Sequence, residues 1–245
     1  MKTIIVTGDS RGVGHSIAEC LLSKGYRVIG LSRTQTKEID SLIAVYGNDK
    51  YIHVNYDLSD VEGIKDLYKY TLRPLTKENG GIFGYVNNAA MAYDDIITNL
   101  NAESLESMYK VNVFSPMMLT KYVLRDMLLN KNKGSIVHIS SISAHTGYKG
   151  LAMYASTKGA MEAFSKNTAR EWGGLQIRSN VVCPGFMDTE MSATLSDDQK
   201  NRIFNRNAMK KPVIVEAVAS TVLFLLDQGS IGITGDIIHV DNGTI

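Results

Sequence analysis

The order in which short apolar runs and longer helical patterns follow one another constrains this chain most strongly. Runs rich in β-branched residues predict seven buried strands, at 3–7, 27–32, 51–56, 82–87, 135–140, 177–182 and 236–241. Apolar residues at helical spacing predict the helices between them, at 13–24, 38–46, 61–78, 103–130, 154–172 and 213–227. Such alternation is typical of an α/β fold, in which helices cover both faces of a parallel sheet. No linker, repeat or low-complexity tract divides the chain, so we expect one domain over residues 1–245.

The first predicted strand runs directly into a glycine turn, Thr7-Gly8-Asp9-Ser10-Arg11-Gly12-Val13-Gly14, and then into a helix. Glycines allow a tight turn and a close backbone approach, and the N–H groups at a helix N-terminus attract the pyrophosphate of a dinucleotide. A plain turn is the alternative, because the spacing is GxxxGxG and not GxGxxG. The context favours a Rossmann-type doubly wound sheet of about seven strands. The predicted cofactor contacts here are Gly8, Ser10, Arg11, Gly12, Val13 and Gly14.

A tyrosine and a lysine in the middle of the chain are candidates for acid–base catalysis. Tyr154 and Lys158 are four residues apart in a predicted helix, so their side chains share one face. A nearby ammonium favours the phenolate, and we therefore expect Lys158 to lower the pKa of Tyr154 from its usual ~10. Ser141 ends an apolar run and should emerge at the edge of the sheet, where substrates bind. The same YxxxK spacing also occurs by accident.

With TGxxxGxG at its start and Ser141 thirteen residues before Tyr154-Ala155-Ser156-Thr157-Lys158, the whole chain resembles the short-chain dehydrogenase/reductase family. It is most similar to the bacterial 3-oxoacyl-[acyl-carrier-protein] reductases. The resemblance implies an NADPH-dependent carbonyl reductase of fatty acid biosynthesis, which converts a ketone into a secondary alcohol. It also implies a catalytic tetrad of Asn112, Ser141, Tyr154 and Lys158.

The resemblance gives each member of the tetrad a role. Tyr154 would protonate the developing alkoxide, and Ser141 would bind the carbonyl oxygen. Lys158 would also hold the nicotinamide ribose, and Asn112 would anchor a water in a proton relay. The further cofactor contacts that the resemblance implies are Asp57, Leu58, Asn88, Ala89, Ala90, Pro184, Gly185 and Thr189, together with Tyr154 and Lys158. Ala90 stands where the family usually has glycine.

The end of the second predicted strand bears on the choice of cofactor. An acidic residue at this point binds the ribose 2′-OH of NAD, whereas an arginine accepts the 2′-phosphate of NADP. The strand ends in Ser32-Arg33 without an acid, and Arg11 in the glycine turn could supply a second guanidinium. Each arginine alone could be a solvated surface charge. Together they favour NADP(H), with Ser32 and Arg33 among its contacts.

The sequence leaves the substrate open. Acyl carrier proteins are acidic, and Lys131 and Lys133 before the fifth strand could bind one, but Gly173-Gly174-Leu175-Gln176 lacks a further basic residue that we would expect. The alternatives are a reductase of a small ketone, a sugar or a secondary metabolite, and a non-catalytic NADP sensor that regulates a partner.

Residues 186–211 are either a surface excursion or a lid over the substrate, and the resemblance favours the lid.

Composition excludes several classes of function. With 26 basic and 25 acidic residues the net charge is +1, which offers no electrostatic case for nucleic acid or an anionic membrane as partner. No stretch approaches the ~20 apolar residues of a membrane span, and Met1 leads directly into a strand, so we expect a cytoplasmic protein without a signal peptide.

Cys20 and Cys183 form no disulfide framework, and packing is the better interpretation of both. The five histidines lack metal-ligand spacing, so we predict no catalytic metal.

The 103–130 segment also predicts self-association. Its apolar residues cover more than one narrow stripe, which indicates a second buried face, although burial within the subunit is the alternative. Pro116 lies inside this segment, so we expect the helix to kink or begin again there. The resemblance implies pairing through this helix and the next, and again through the last strand. The expected assembly is a homotetramer.

Overall fold

A computed structural model describes residues 1–188 and 196–245 of the chain. Its strands are β1 (Thr3–Thr7), β2 (Arg27–Ser32), β3 (Tyr51–Asn55), β4 (Ile82–Asn87), β5 (Ser135–Ile139), β6 (Arg178–Pro184) and β7 (Ile237–Val240). They form one sheet in the order β3-β2-β1-β4-β5-β6-β7, and all six pairings are parallel. The predicted doubly wound α/β fold is confirmed, and every predicted strand is present to within two residues at each end.

The helices lie between the strands, as predicted. They are α1 (Gly12–Ser23), α2 (Lys37–Tyr46), α3 (Ile64–Leu67), α4 (Arg73–Lys77), α5 (Ala102–Tyr109), α6 (Ser115–Leu129), α7 (Ala152–Trp172), α8 (Asp197–Phe204) and α9 (Val215–Leu226). Two π-helical turns, Tyr68–Leu72 and Lys110–Phe114, join α3 to α4 and α5 to α6. None of the helices in the described residues is long and apolar enough to cross a membrane.

Alternate residues of the central strands feed two apolar cores, one on each face of the sheet. Ile4 packs in the core that contains α1 and α9, and Ile5 in the core that contains α6. Both side chains are fully buried. Because each strand has a core on both faces, it reads in the sequence as a continuous apolar run and not as an alternating one.

The expected irregularity near Pro116 is the π-helical turn between α5 and α6. Proline has no N–H, and its ring clashes with the carbonyl four residues earlier, so a regular α-helix cannot pass through this position. The chain inserts the wider turn at Lys110–Phe114, and α6 begins again at Ser115 with Pro116 in its first turn. Asn112 lies inside this turn.

The order of the strands determines where a ligand can bind. β1 lies between β2 and β4, and the direction of strand succession reverses on either side of it. A crevice opens at the carboxyl ends of the strands at such a switch point. The glycine turn follows β1, and Asn88 follows β4, so both lie at this crevice.

Candidate active site

The glycine turn is closed tightly against the end of β4. Gly8 has a φ of +69° and Gly12 a φ of +55°, in the left-handed region that favours glycine. A Cβ on Gly14 would lie 2.0 Å from the Gly8 oxygen. Asn88 Nδ2 donates to the backbone oxygens of Thr7 at 2.9 Å and of Gly8 at 3.2 Å. The turn therefore presents backbone, not side chains, to the crevice.

The N-terminus of α1 suits an anion. Its N-cap residue, Arg11, makes no side-chain capping bond, and no acidic residue lies in the first turn. The first N–H groups of a helix lack intrahelical partners and carry partial positive charge. Gly12, Val13 and Gly14 supply this turn, so the backbone here fits a pyrophosphate, as the sequence predicts.

Ser32 and Arg33 lie at the end of β2, beside the glycine turn. Thr36 Oγ1 donates to the Ser10 oxygen at 2.9 Å and ties the two segments together. The Ser32 hydroxyl is buried and has no hydrogen-bond partner in the part of the chain that the structure describes. The side chains of Arg33 and Arg11 are exposed. An unpartnered buried hydroxyl beside two guanidinium groups fits the ribose-phosphate end of a dinucleotide.

The other predicted cofactor residues lie at the carboxyl ends of β3, β4 and β6 or directly after them. They are Asp57, Leu58, Asn88, Ala89, Ala90, Pro184 and Gly185. Asp57 Oδ1 accepts from the Ser59 amide at 2.9 Å, and this hydrogen bond lowers the pKa of Asp57. A Cβ on Gly185 would come within 2.7 Å of Asp241 Cα, so this loop packs closely against the segment after β7. Thr189 lies outside the described residues.

Tyr154 and Lys158 lie one turn apart on α7, as their spacing predicts. Lys158 is 5% exposed, and its Nζ donates to the Ile139 oxygen at 2.9 Å, at the end of β5. Nζ is 5.4 Å from the centre of the Tyr154 ring. Burial lowers the pKa of Lys158 to about 8. α7 therefore holds an ammonium group between the phenol ring and the carboxyl edge of the sheet.

The pKa of Tyr154 is raised, and the prediction that Lys158 lowers it is wrong as a net effect. Burial is the main cause, and the Asp94 carboxylate and the Cys183 thiol act in the same direction. The loss of hydration outweighs the neighbouring ammonium, whose Nζ is directed to a backbone oxygen. The phenol is consequently protonated at neutral pH.

Ser141 follows β5 and begins the short 3₁₀ turn Ile142–Ala144. Its Oγ accepts from the Ser143 amide at 3.2 Å and from the Ser143 hydroxyl at 3.1 Å. These contacts use the lone pairs of the oxygen and leave its own proton to donate elsewhere. A partly exposed O–H donor at this edge of the sheet is suited to a substrate carbonyl.

The side chain of Asn112 is fully engaged within the protein. Nδ2 donates to the Met91 oxygen at 2.8 Å and to Thr157 Oγ1 at 3.1 Å, and Oδ1 accepts from the Met91 amide at 2.8 Å. Asn112 thus clamps the segment after β4 to α7. Its backbone carbonyl lacks an α-helical donor because the partner would be Pro116, which has no N–H. That carbonyl, and not the side chain, is suited to accept from a water.

Sequence reasoning missed two acidic residues beside the tetrad. Asp94 follows β4 and raises the pKa of Tyr154, and burial raises the pKa of Asp94 itself. Glu162 lies two turns beyond Tyr154 on α7, where it accepts from the Ser140 hydroxyl and meets His145 Nε2 at 3.0 Å. Glu162 lies four residues after Lys158, so helical spacing could have predicted that it shares a face of α7 with Tyr154 and Lys158. No sequence pattern points to Asp94.

Lys131 and Lys133 lie far from the site. Both precede β5, whereas Ser141 follows it, so the whole strand separates them. Five residues of strand span about 16 Å, at ~3.3 Å per residue. Within one subunit these lysines therefore do not lie beside Ser141, and their role in binding an acidic carrier stays a prediction.

Comparisons with known proteins agree with this geometry. A family model described as Enoyl-(Acyl carrier protein) reductase matches residues 8–244. The 3-oxoacyl-[acyl-carrier-protein] reductase FabG of Salmonella typhimurium is 33% identical over 244 residues, which are 99% of this chain and 96% of that protein. A solved structure of a short chain dehydrogenase/reductase family protein has a TM-score of 0.86 at 26% identity and covers 99% of this chain and 96% of that chain.

The chain belongs to the short-chain dehydrogenase/reductase family. FabG of Haemophilus influenzae is a further relative in this family, 34% identical over 242 residues, with 99% of this chain and 97% of that protein covered. The structure of 4-hydroxyisoleucine dehydrogenase complexed with NADH has a TM-score of 0.90 at 25% identity and covers 100% of this chain and 98% of that chain. The predicted resemblance is confirmed, and the protein is an oxidoreductase of the short-chain family.

Proposed function

We propose that this protein is an NADPH-dependent carbonyl reductase, which reduces 3-oxoacyl thioesters carried by acyl carrier protein in fatty acid biosynthesis. One observation carries the proposal: a protonated phenol, an O–H donor and a buried ammonium come together where α7 meets the end of β5. The substrate class is supported by the relatives, which are named 3-oxoacyl-[acyl-carrier-protein] reductases.

Reduction is favoured by the protonation states of the site. NADPH, when bound, supplies the hydride. Ser141 donates its proton to the carbonyl oxygen, and Tyr154 protonates the alkoxide that forms there. The Tyr154 phenol, whose pKa is raised, carries its proton at neutral pH and can give it to an alkoxide, which is the stronger base.

Lys158 and Asn112 support the proton donor. The Lys158 ammonium lies beside the Tyr154 ring, where it stabilises negative charge that develops on the phenol oxygen. It also supplies donors for the hydroxyls of the nicotinamide ribose. The Asn112 carbonyl holds a water from which the proton on Tyr154 can be restored.

The end of β2 supports NADPH over NADH. No carboxylate follows Leu31 to bind a ribose 2′-OH, and the next residues are Ser32 and Arg33. The hydrogen bond from Thr36 to Ser10 holds this segment to the glycine turn, which carries Arg11. Two permanently charged guanidinium groups from adjoining segments suit a 2′-phosphate.

A substrate panel with purified protein and NADPH tests the activity. The panel compares 3-oxoacyl thioesters with sugars and small ketones, and it measures kcat/KM from the oxidation of NADPH. We expect the thioesters to be the best substrates. A sugar or a small ketone as the best substrate would refute the acyl class alone. The absence of turnover on every substrate, with NADPH still bound, would favour a regulatory sensor.

Recognition of an acidic carrier is best assigned to α8 and the residues after it. Arg202, Arg206 and Lys210 are exposed there, in the 186–211 segment that follows the carboxyl end of β6 and that we propose as the substrate lid. Phe204 of α8 packs on Phe186 with ring centres 5.7 Å apart. α8 is therefore anchored beside the predicted nicotinamide loop.

Charge reversal separates carrier recognition from catalysis. Arg202→Glu with Arg206→Glu should raise KM for an acyl carrier protein substrate and leave KM for a short thioester without carrier unchanged. Lys131→Glu with Lys133→Glu is the matched control at the opposite edge of the sheet. Equal effects of the two pairs would refute the assignment of this surface.

We propose a homotetramer as the working assembly. β7 is an edge strand, paired only with β6 in the described sheet, and pairing with a second copy would cover its open side. Phe114, Leu128 and Leu129 remain exposed along α6 and the preceding turn, although most apolar residues of this segment are buried within the subunit. Sedimentation of the protein at micromolar concentration tests this, and a monomer of 26.9 kDa would overturn it.

A further inference from the structure

Two histidines and a cysteine from different parts of the chain meet beside the active site. His145 follows β5, Cys183 lies near the end of β6, and His239 lies in β7. These three strands are neighbours in the sheet, and Cys183 is the register partner of His239. One ligand atom of each residue lies within 4.8 Å of the other two. The rings of His145 and His239 are 4.9 Å apart, edge to face.

The donor set and its dimensions suit a transition-metal ion. Two imidazole nitrogens and a sulfur are ligands that ions such as Zn²⁺ and Cu²⁺ prefer. Zn²⁺ binds nitrogen at ~2.1 Å and sulfur at ~2.3 Å, which places tetrahedral ligand atoms about 3.5 Å apart. Atoms up to 4.8 Å apart must therefore approach by about 1 Å. His239 is exposed and can rotate toward Cys183, whose side chain the sheet holds fully buried.

The surroundings of His145 are those of a metal ligand. Its Nε2 lies 3.0 Å from Glu162 Oε1, and the Ser140 hydroxyl donates to the same carboxylate oxygen. A carboxylate that binds one ring nitrogen of a histidine fixes the ring and its tautomer, and it presents the other nitrogen to a metal. Glu162 is nearly buried, so this arrangement is built into the fold between α7 and β5.

We propose that His145, Cys183 and His239 form a binding site for a divalent transition-metal ion of the Zn²⁺ class. The site has three protein ligands, and its fourth position is open to water or to a small ligand. It adjoins the cluster of Ser141, Tyr154 and Lys158, because Cys183 lies close enough to Tyr154 to raise the pKa of the phenol.

Zn²⁺ binding to the metal-free protein tests the proposal directly. Calorimetric titration with Zn²⁺ should give one ion per chain for the wild-type protein. Cys183→Ser should weaken binding at least tenfold, whereas Cys20→Ser, which changes the other cysteine, in α1, should have no effect. Titration with Co²⁺ should produce a thiolate-to-metal absorption band in the wild type and in Cys20→Ser, but not in Cys183→Ser.

Variants of the two exposed histidines test the proposal independently, in case the substitution of the buried cysteine prevents folding. His145→Asn and His239→Asn should each weaken Zn²⁺ binding at least tenfold without a change in the unfolding temperature of the metal-free protein. Glu162→Gln should weaken it by about 10–100-fold, through the loss of support for His145. The proposal is overturned if the wild type binds no Zn²⁺ at micromolar concentration, or if all three ligand variants bind it as the wild type does.

Discussion

The glycine turn after β1 and the proposed catalytic face of α7 are built in opposite ways. At the turn, the missing side chains of Gly8 and Gly14 make the shape, because a Cβ on Gly14 would meet the Gly8 oxygen at 2.0 Å. On α7, the side chains of Tyr154 and Lys158 make the site, and their burial shifts both pKa values. The first region is therefore sensitive to added atoms, and the second to changed functional groups.

This difference separates binding from chemistry. Backbone N–H groups at the start of α1 can hold a cofactor without taking part in proton transfer. The phenol of Tyr154 can transfer a proton without being needed to hold the cofactor. A substitution in one region should therefore leave the function of the other largely intact, and four predictions follow that can break or sharpen this contrast.

Tyr154→Phe should have the largest effect. It removes the proton donor and keeps the ring, so kcat for ketone reduction should fall by about 10²–10⁴-fold, the usual contribution of a positioned acid. Affinity for NADPH, measured by fluorescence titration, should stay close to that of the wild type. Near-normal kcat in this variant would show that another group donates the proton.

Gly14→Ala should weaken cofactor binding and leave the chemical step largely intact. The added Cβ would lie 2.0 Å from the Gly8 oxygen, so the turn must change its shape, and affinity for NADPH should fall by roughly 100-fold, or about 2.7 kcal/mol. At saturating NADPH the remaining kcat should be near normal. Gly159→Ala on α7 is the matched control, because its Cβ would meet nothing within 4 Å. Equal cofactor affinity in the two variants would contradict the assignment of the turn.

Arg33→Ala should have a more selective effect. Loss of a charge-assisted contact costs about 1.5 kcal/mol for an exposed guanidinium, so affinity for NADPH should fall about tenfold. Affinity for NADH, which lacks the 2′-phosphate, should not change and serves as the internal control. If the wild-type protein binds both cofactors equally well, the NADPH assignment is wrong.

The pH dependence should show the smallest effect. Burial lowers the pKa of Lys158 to about 8, so its ammonium is present below pH 8 and is lost above it. kcat/KM for reduction should therefore fall about fourfold between pH 7 and 8.5, the change expected for one group with this pKa. Lys158→Arg stays charged, and its residual activity should lack this fall. The same decline in both proteins would point to a different group.

Local pattern was sufficient to predict most of the fold and much of the site. Strand β1 and the glycine turn follow from contiguous residues, and the pairing of Tyr154 with Lys158 follows from helical spacing. The raised pKa of Tyr154 could not be predicted, because burial and the Asp94 charge come from distant segments. The proximity of His145 and His239 could not be predicted for the same reason. They are 94 positions apart in the sequence, and only the order of the strands brings them close.

The positions of Lys131 and Lys133 show a further limit. In a parallel sheet, residues that precede a strand lie at the amino ends of the strands, and residues that follow it lie at the carboxyl ends. Residues before β5 therefore lie at the end of the sheet opposite the site, and this could have been deduced from the predicted strand order alone. The charge of these lysines suggested a place beside the active site, whereas within one subunit they lie at the other ends of the strands.

The most direct test of the separation of binding from chemistry is NADPH affinity and kcat measured side by side in Tyr154→Phe and Gly14→Ala. The account predicts a crossed result. Tyr154→Phe should bind NADPH normally and turn over at least about 100-fold more slowly, and Gly14→Ala should bind weakly and turn over normally once saturated. Parallel losses of affinity and kcat in both variants would contradict it.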